Sequence, residues 1–320
     1  MNAEQLRIKR REIVEQFGDW TKHNMHLMND TYTYTQNHPR FKEHLVKRGV
    51  RLHRIIQIIS DITNQPLNNL RVLDLACLEG LYGIELARHG AEVIGIEGRE
   101  ANVVKARFAK DVLALDNITF VQDDVRNLSV EKYGRFDVVL CLGILYHLEA
   151  PDVFHFVERM SDVCKRVTII DTHIGIKANN SYIYQGQEYH GWSYTEHSSK
   201  STKEERLKTL RASLDNEKSF WLTRPSLFNL LSRAGFTSVY TCQNPAVPMQ
   251  RMDRDTLVAV KGTRHKLFST PIVNSLDNKV WPEERQTGIH PSQRAILGFK
   301  LREIPRRVRN LARRILGFAS

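Results

Sequence analysis

The chain has 320 residues, of which 41% are hydrophobic and 26% are charged, a composition typical of a globular protein with a sizeable core. Its longest apolar runs fall far short of the roughly 18 residues that a membrane span needs. The N-terminal residues are charged where a signal peptide would be apolar, so we expect a cytoplasmic protein.

The formal net charge of +11 is concentrated at one end of the chain. Residues 294–320 hold eight basic side chains and one acidic side chain, which leaves +4 for the first 293 residues. The basic character therefore belongs mainly to the C-terminal tail and says little about the partners of the rest of the protein.

The first 69 residues are predicted to form a helical cover. Apolar positions recur at helical spacing in residues 3–17, up to Gly18, and again in residues 40–60. The aromatic and histidine-rich segment Trp20–Tyr34, between these helices, shows no regular period. We expect an irregular structure there.

Strand and helix patterns then alternate. Apolar runs predict five strands, at residues 72–75, Glu92–Glu97, Ile118–Gln122, Phe136–Leu142 and Val167–Asp171. Strands separated by single helices imply right-handed crossovers and therefore a parallel sheet.

The alternation stops after the fifth strand. Residues 173–222 are predicted to be an inserted lid without a regular period, apart from a charged helix at Lys203–Asn216. A helix at Arg224–Ala234 and two β-like runs follow the lid. The predicted domains are the cover (1–69), a core that includes the lid (70–265) and a basic tail (266–320).

The cysteines and histidines do not suggest a metal site. Four cysteines lie far apart without a C-x-x-C pair, which is typical of reduced thiols in a cytoplasmic protein. His190 and His197 lie near Glu188 and Glu196, but their spacing matches no ligand pattern such as H-E-x-x-H. We therefore expect no bound metal.

The first strand leads into a motif that carries chemistry. The segment VLDLACLEGLYGIELA, which begins at Val72, resembles the first motif of S-adenosylmethionine-dependent methyltransferases, D-x-G-x-G-x-G. In that register Asp74 is followed by Ala76, Leu78 and Gly80, so two of the three glycines are replaced. The resemblance implies a Rossmann-like α/β fold with a seven-stranded, mostly parallel doubly wound sheet, here with N-terminal helices and an inserted lid. It also implies S-adenosylmethionine as the cofactor, whose ammonium group Asp74 would bind directly or through one water.

Acidic residues that end the next two strands extend this predicted cofactor site. Glu97 follows Asp74 by 23 positions, close to the ~20-residue interval of ribose-binding acids in related nucleotide folds. By the same resemblance, Asp124 would accept the adenine amino group, with the adjacent Asp123 as the alternative. The predicted cofactor-binding set also contains Ala76, Cys77, Gly80, Gly98, Val125 and Leu142.

The sequence leaves two alternatives to a methyltransferase open. A nicotinamide-dependent enzyme is less favoured, because its G-x-G-x-x-G motif would place glycines where Leu78 and Leu81 stand. A protein that binds S-adenosylmethionine without catalysis is the second alternative, and the replaced glycines motivate it.

Two later segments narrow the resemblance. FDVVLCLGILYHLEAP, which begins at Phe136, and SFWLTRPSLFNLLSRAGF, residues 219–236, resemble the tRNA wobble-uridine (5-methoxyuridine) methyltransferases. The similarity covers roughly residues 70–245. It identifies the cofactor better than the acceptor, because enzymes that act on RNA, sugars and small molecules share such cores.

His147 and His173 are the candidate general bases. Each follows a predicted strand, where an imidazole can take a proton from a hydroxyl group. Asp171 would orient His173 or bind the acceptor. Because methyl transfer depends mainly on holding the reacting atoms in line, a mild base suffices, and the reaction can also proceed without one.

Aromatic residues of the lid are the candidates for acceptor binding. Tyr182, Tyr184, His190 and Trp192 combine rings with polar atoms. Such rings stack on a sugar or a base, or else pack the lid against the sheet edge.

Residues 303–320 of the tail are predicted to contain a short amphipathic helix with arginines on its polar face. Such a helix binds the inner face of an anionic membrane, binds RNA phosphates, or docks on the core. The sequence leaves these three possibilities open.

The residues together favour O-methylation of a polar acceptor, such as a sugar, a glycan or a specialised metabolite. tRNA is the alternative acceptor, because the family resemblance and the basic tail point to it while the rest of the chain is only mildly basic. The oligomeric state is left open.

Overall fold

The fold is described from a computed structural model, for residues 3–242 and 253–275. The predicted helix in residues 303–320 lies outside these described residues. In chain order the helices are α1 (Ala3–Phe17), α2 (Phe41–Thr63), α3 (Leu81–Arg88), α4 (Glu100–Val112), α5 (Val130–Tyr133), α6 (Asp152–Val163), α7 (Lys203–Lys208) and α8 (Arg224–Arg233). The strands are β1 (His26–Met28), β2 (Thr31–Tyr32), β3 (Arg71–Leu75), β4 (Glu92–Glu97), β5 (Ile118–Gln122), β6 (Phe136–Leu142), β7 (Cys164–His173), β8 (Asn180–Tyr184), β9 (Gln187–Thr195), β10 (Lys218–Leu222), β11 (Ser238–Cys242) and β12 (Arg254–Val260).

A seven-stranded sheet forms the centre of the molecule, in the order β11-β12-β7-β6-β3-β4-β5. Strands β3 to β7 run parallel, whereas β12 pairs antiparallel with both β7 and β11. Apolar clusters cover both faces of this sheet. A strand buried on both faces reads as a continuous apolar run, which is why the residues of β6 could be recognised in the sequence. The predicted fold class is confirmed.

The N-terminal residues pack on one face of the sheet. Leu6 of α1 and Ile55 of α2 are fully buried there. The segment Trp20–Tyr34 is not wholly irregular, since it contains the short hairpin β1–β2. The missing period is explained by the length of these strands, which are only three and two residues long.

The inserted residues contain more regular structure than the sequence predicts. Strands β8, β9 and β10 form a separate three-stranded antiparallel sheet. The predicted helix at Lys203–Asn216 is wrong beyond Lys208, where α7 ends. After that point backbone carbonyls of the chain bind the guanidinium group of Arg99 instead of continuing the helix.

The turn after β3 keeps a glycine-type backbone although two glycines are replaced. Ala76, Leu78 and Gly80 have φ angles of 49°, 50° and 82°, all in the left-handed region. This conformation costs a non-glycine residue about 1–2 kcal/mol. Ala76 and Leu78 therefore hold strain at this turn, which the surrounding structure must offset.

Gly80 provides a test of how tightly this turn is packed. A Cβ atom at Gly80 would lie 2.6 Å from Cζ of Phe120, whereas Gly18, with φ of +73°, has no atom within 4 Å of such a Cβ. Both alanine variants carry the left-handed penalty of about 1–2 kcal/mol, and overpacking adds about 1–3 kcal/mol at Gly80 alone. In urea denaturation we expect Gly80→Ala to lose clearly more free energy of unfolding than Gly18→Ala. Equal losses would contradict the packing of the turn against β5.

Candidate active site

A cleft opens at the carboxyl ends of the parallel strands, where doubly wound sheets bind their ligands. It lies between the N-terminal cover and residues 209–216, which we call the lid loop. Seven of the predicted site residues line this cleft: Ala76, Glu97, Gly98, Asp124, Val125, Leu142 and His147.

Asp74 lies beneath the cleft and does not line it. Its Oδ2 accepts a hydrogen bond of 3.0 Å from the backbone N–H of Gly83, in the first turn of α3. Burial raises the pKa of the Asp74 carboxyl to about 7, and the nearby Glu97 carboxylate adds to this effect. Cys77 and Gly80, which were also predicted to bind the cofactor, are buried in the turn behind the cleft lining.

Glu97, the last residue of β4, presents a buried carboxylate to the cleft. Its Oε2 accepts the N–H of Leu78 at 3.0 Å, and its Oε1 accepts the N–H of Arg99 at 2.9 Å. Burial raises the pKa of this carboxyl, and the backbone donors oppose the shift. Because each oxygen has two lone pairs, the carboxylate can accept further hydrogen bonds from a ligand.

The two adjacent acids after β5 face different surroundings. Asp124 lines the cleft, and its carboxylate binds the guanidinium group of Arg126 at 2.6 Å. Asp123 points elsewhere and binds Lys132 at 2.6 Å and the hydroxyl of Tyr133. Hydrogen bonds from neighbouring side chains hold the pKa of Asp123 at about 2, against its partial burial. Asp124 is therefore the acid that the structure brings to the cleft.

The lid loop is held in place by Arg99, which was not among the predicted site residues. The Arg99 guanidinium donates hydrogen bonds of 2.9–3.2 Å to the carbonyls of Thr209, Ala212 and Ser213. Arg126 adds a second link, since it bridges Asp124 to Asp215 of the lid loop at 2.7 Å. The predicted cofactor side of the cleft is thus covered from above by the lid loop.

His147 is the predicted base that reaches the cleft. Its Nδ1 lies 3.0 Å from both carboxylate oxygens of Glu196, which directly follows β9 and whose side chain is only 2% exposed. Glu196 also accepts hydrogen bonds from the Ser219 hydroxyl at 2.8 Å and from the Ser213 N–H at 3.1 Å. Because a carboxylate can only accept, Nδ1 carries the proton, and Nε2 of a neutral ring is then the proton acceptor.

His173 and Asp171 are occupied by other side chains. Nε2 of His173 accepts a hydrogen bond from Arg254 at 3.1 Å, and its ring stacks on Trp221 at 4.8 Å. Asp171 is buried and binds Arg51 at 3.0 Å and Arg254. These two arginines hold the pKa of Asp171 below its usual range against the opposing effect of burial. The arginines line the cleft, whereas His173 and Asp171 do not.

The four predicted acceptor-binding residues of the lid lie on the separate three-stranded sheet and not in the cleft. Tyr182 and Tyr184 pack on Phe154 of α6. The centroids of their rings lie 5.4 and 4.9 Å, respectively, from the centroid of the Phe154 ring. His190 lies 3.7 Å from Glu188, and Trp192 is 41% exposed.

The residues that the sequence reading missed are Arg51, Arg99, Glu196 and Arg254. Each contacts a partner more than 40 residues away along the chain. Only the three-dimensional fold brings these pairs together, so no local sequence pattern could reveal them. The one sequence signal was that Arg99 directly follows Glu97-Gly98 at a strand end.

Comparison with protein families identifies the domain that holds this cleft. Residues 72–166 match the family model described as a methyltransferase domain. These residues carry a methyltransferase domain. The prediction from the VLDLACLEGLYGIELA motif is thereby confirmed, whereas the narrower resemblance to tRNA wobble-uridine methyltransferases is not.

Curated relatives match part of the chain. The ubiquinone biosynthesis O-methyltransferase of Acinetobacter baylyi is 35% identical over 81 residues, which are 25% of this chain and 34% of that protein. The protein of the same name from Pelagibacter ubique is 28% identical over 131 residues, 40% of this chain and 52% of that protein. The chain thus spans about a third to a half of the length of these relatives.

Solved structures resemble a larger part of the chain. The N-terminal domain of EvdMO1 with SAH bound has a TM-score of 0.62 and 22% identity, over 82% of this chain and 98% of that domain. The same domain in the presence of SAH and D-fucose has a TM-score of 0.59. At this level of identity the likeness establishes the fold.

Within residues 3–242 and 253–275, no helix is long and apolar enough to cross a membrane. In that same part of the chain, no group of three or more His, Cys, Asp or Glu side chains is placed to hold a metal ion. All four cysteines are free thiols, and Cys77, Cys141 and Cys164 are buried.

The raised pKa of Asp74 predicts a specific pH dependence of stability. The folded protein keeps the proton on Asp74 up to pH about 7, while the unfolded chain loses it near pH 4. Between these values the free energy of unfolding therefore falls as the pH rises, by up to about 1.4 kcal/mol per pH unit. Asp74→Asn removes this loss, so we expect the variant to gain stability relative to wild type between pH 5 and pH 7.5. Urea denaturation at both pH values measures the difference, and a difference independent of pH would contradict the assignment.

Proposed function

We propose that this protein is an enzyme that transfers the methyl group of S-adenosylmethionine to an oxygen atom of a polar small molecule. The observation that carries the proposal is the buried carboxylate of Glu97, which faces a cleft within a methyltransferase domain. A carboxylate at the end of the second parallel strand is suited to bind a pair of ribose hydroxyl groups.

The cleft residues fit this cofactor at both of its ends. Glu97 and Asp124 stand at successive strand ends and offer acceptors to an adenosine group, while the lid loop covers them. Across the turn after β3, the buried Nε of Arg51 has no hydrogen-bond partner among the described residues. A ligand with a carboxylate group satisfies such a donor.

The methyl transfer itself requires orientation and the removal of one proton. The bound cofactor supplies an electrophilic methyl carbon. Tyr146 and His147 follow β6 and line the cleft, so they are placed to position the acceptor hydroxyl. His147, held through Nδ1 by Glu196, takes the hydroxyl proton at Nε2. Alignment of the reacting atoms contributes most of the rate enhancement.

The acceptor that we propose is a sugar or a related molecule with a flat apolar face. Trp192 and Tyr194 are about 40% exposed, and Tyr194 stacks on Trp221 at 4.4 Å. This aromatic surface adjoins Tyr146, whose ring lies 6.1 Å from that of Trp221. Aromatic surfaces of this kind bind ring-shaped ligands. EvdMO1, a structural neighbour, was crystallised with D-fucose, which agrees with this acceptor class.

Glu97 is the residue with which to test cofactor binding. We expect Glu97→Gln to weaken binding of S-adenosylmethionine by roughly tenfold or more, since a hydrogen bond to a charged group contributes about 1.5–3 kcal/mol. Glu92→Gln is the matched control, because Glu92 begins the same strand and its side chain is 64% exposed. Isothermal titration calorimetry measures both. If the wild-type protein does not bind the cofactor, or Glu97→Gln binds as wild type does, this proposal fails.

The acceptor class can be found with radiolabelled cofactor and cell extract separated into RNA, polysaccharide and small molecules. We expect label in the polysaccharide or small-molecule fraction. Label in tRNA alone would favour the tRNA alternative, and cofactor binding without transfer would favour a non-catalytic protein.

The same assay tests His147 once a labelled fraction is known. Loss of a general base lowers turnover by roughly 100-fold or more, so we expect His147→Asn to lose turnover while its affinity for the cofactor stays within about twofold. His89→Asn, at a half-exposed position on the far end of α3, is the control. Unchanged turnover in His147→Asn would exclude His147 as the base.

A further inference from the structure

Arg51 has a donor group that the described residues leave unsatisfied. This residue of α2 reaches the cleft from the N-terminal cover, and its side chain is 14% exposed. Its guanidinium carbon lies 5.6 Å from the centroid of the Tyr82 ring. The Nε atom is buried without a hydrogen-bond partner in the described part of the chain. A buried charged donor of this kind is costly unless an acceptor is bound.

The charges around Arg51 also favour an anion. Asp171 is the carboxylate to which Arg51 binds, at 3.0 Å. Arg254 donates from its Nε to the same carboxylate at 2.7 Å, and Thr256 donates to it at 3.0 Å. In this cluster one carboxylate therefore faces two guanidinium groups, an excess of one positive charge.

We propose that Arg51 forms a carboxylate-binding subsite, and that its ligand is the carboxylate of the cofactor's amino-acid tail. This inference rests on the proposed function. The planar guanidinium presents its donors in a fork that matches a carboxylate. Tyr82, whose ring lies beneath the Arg51 guanidinium, is in the first turn of α3 directly after the turn at 76–80, so the subsite adjoins that turn. A carboxylate group on the acceptor molecule could bind Arg51 through the same chemistry. The experiment must therefore distinguish the carboxylate of the cofactor from that of the acceptor.

The test compares two ligands that differ only in the carboxylate, S-adenosylmethionine and its decarboxylated form. Calorimetry gives the affinity of each for the wild type, Arg51→Met and Arg51→Lys. Arg54→Met is the control, because Arg54 is exposed on the same helix. We expect Arg51→Met to lose roughly tenfold to a hundredfold affinity for S-adenosylmethionine and at most about twofold for the decarboxylated form. Arg51→Lys keeps a positive charge near Asp171 and therefore controls for misfolding of the variant. We expect it to lose less affinity for S-adenosylmethionine than Arg51→Met does.

The outcomes separate the two sources of the carboxylate. If neither ligand loses affinity, acetate is added to the protein saturated with S-adenosylmethionine. A rise in Tm for the wild type but not for Arg51→Met then assigns the subsite to the acceptor. If Arg51→Met loses affinity equally for both ligands, the subsite is overturned. It is also overturned if Arg51→Met binds both ligands as the wild type does and acetate leaves the Tm of the wild type unchanged. A wild-type protein that binds neither ligand contradicts the proposed function itself.

Discussion

Glu79 lies in the turn after β3 with its side chain fully buried, and the N-terminal cover is fastened to it. Its carboxylate accepts the backbone N–H of Thr21 and lies 3.4 Å from Nδ1 of His23. The buried ammonium group of Lys105 binds the carbonyl of Asp19, in the same segment, at 2.7 Å. A buried carboxylate is tolerated only with such donors and positive charges around it. Arg51 and Lys22 of the cover line the cleft, so the wall that they form depends on this anchoring.

The parts of the site that the sequence predicts are those encoded over short distances. β4, β5 and β6 are continuous or alternating apolar runs, and the position of the residues that end or directly follow each one is fixed by the strand itself. Glu97, Asp124 and Leu142 could therefore be placed at one edge of the sheet, and the structure has all three in the cleft lining.

The parts that the sequence does not predict depend on contacts between distant residues. Glu196 directly follows β9 but binds His147, 49 positions earlier. Arg99 binds carbonyls more than 100 positions later. The aromatic residues of the lid could not be assigned to a face, because a change of one residue in strand register exchanges the two faces of a sheet. Tyr184 thus packs against α6, while Trp192 is exposed.

The four hydrogen bonds from Arg99 to backbone carbonyls, which include that of Leu207 at 3.1 Å, restrict the movement of residues 207–213. A single guanidinium group donates to all four carbonyls. Residues 207–213 therefore cannot detach one at a time without leaving this buried cation short of hydrogen-bond acceptors. Movement of any one of these carbonyls therefore weakens the hydrogen bonding of the whole group. Residues 207–213 are thereby coupled to the end of β4, where Glu97 stands two positions before Arg99.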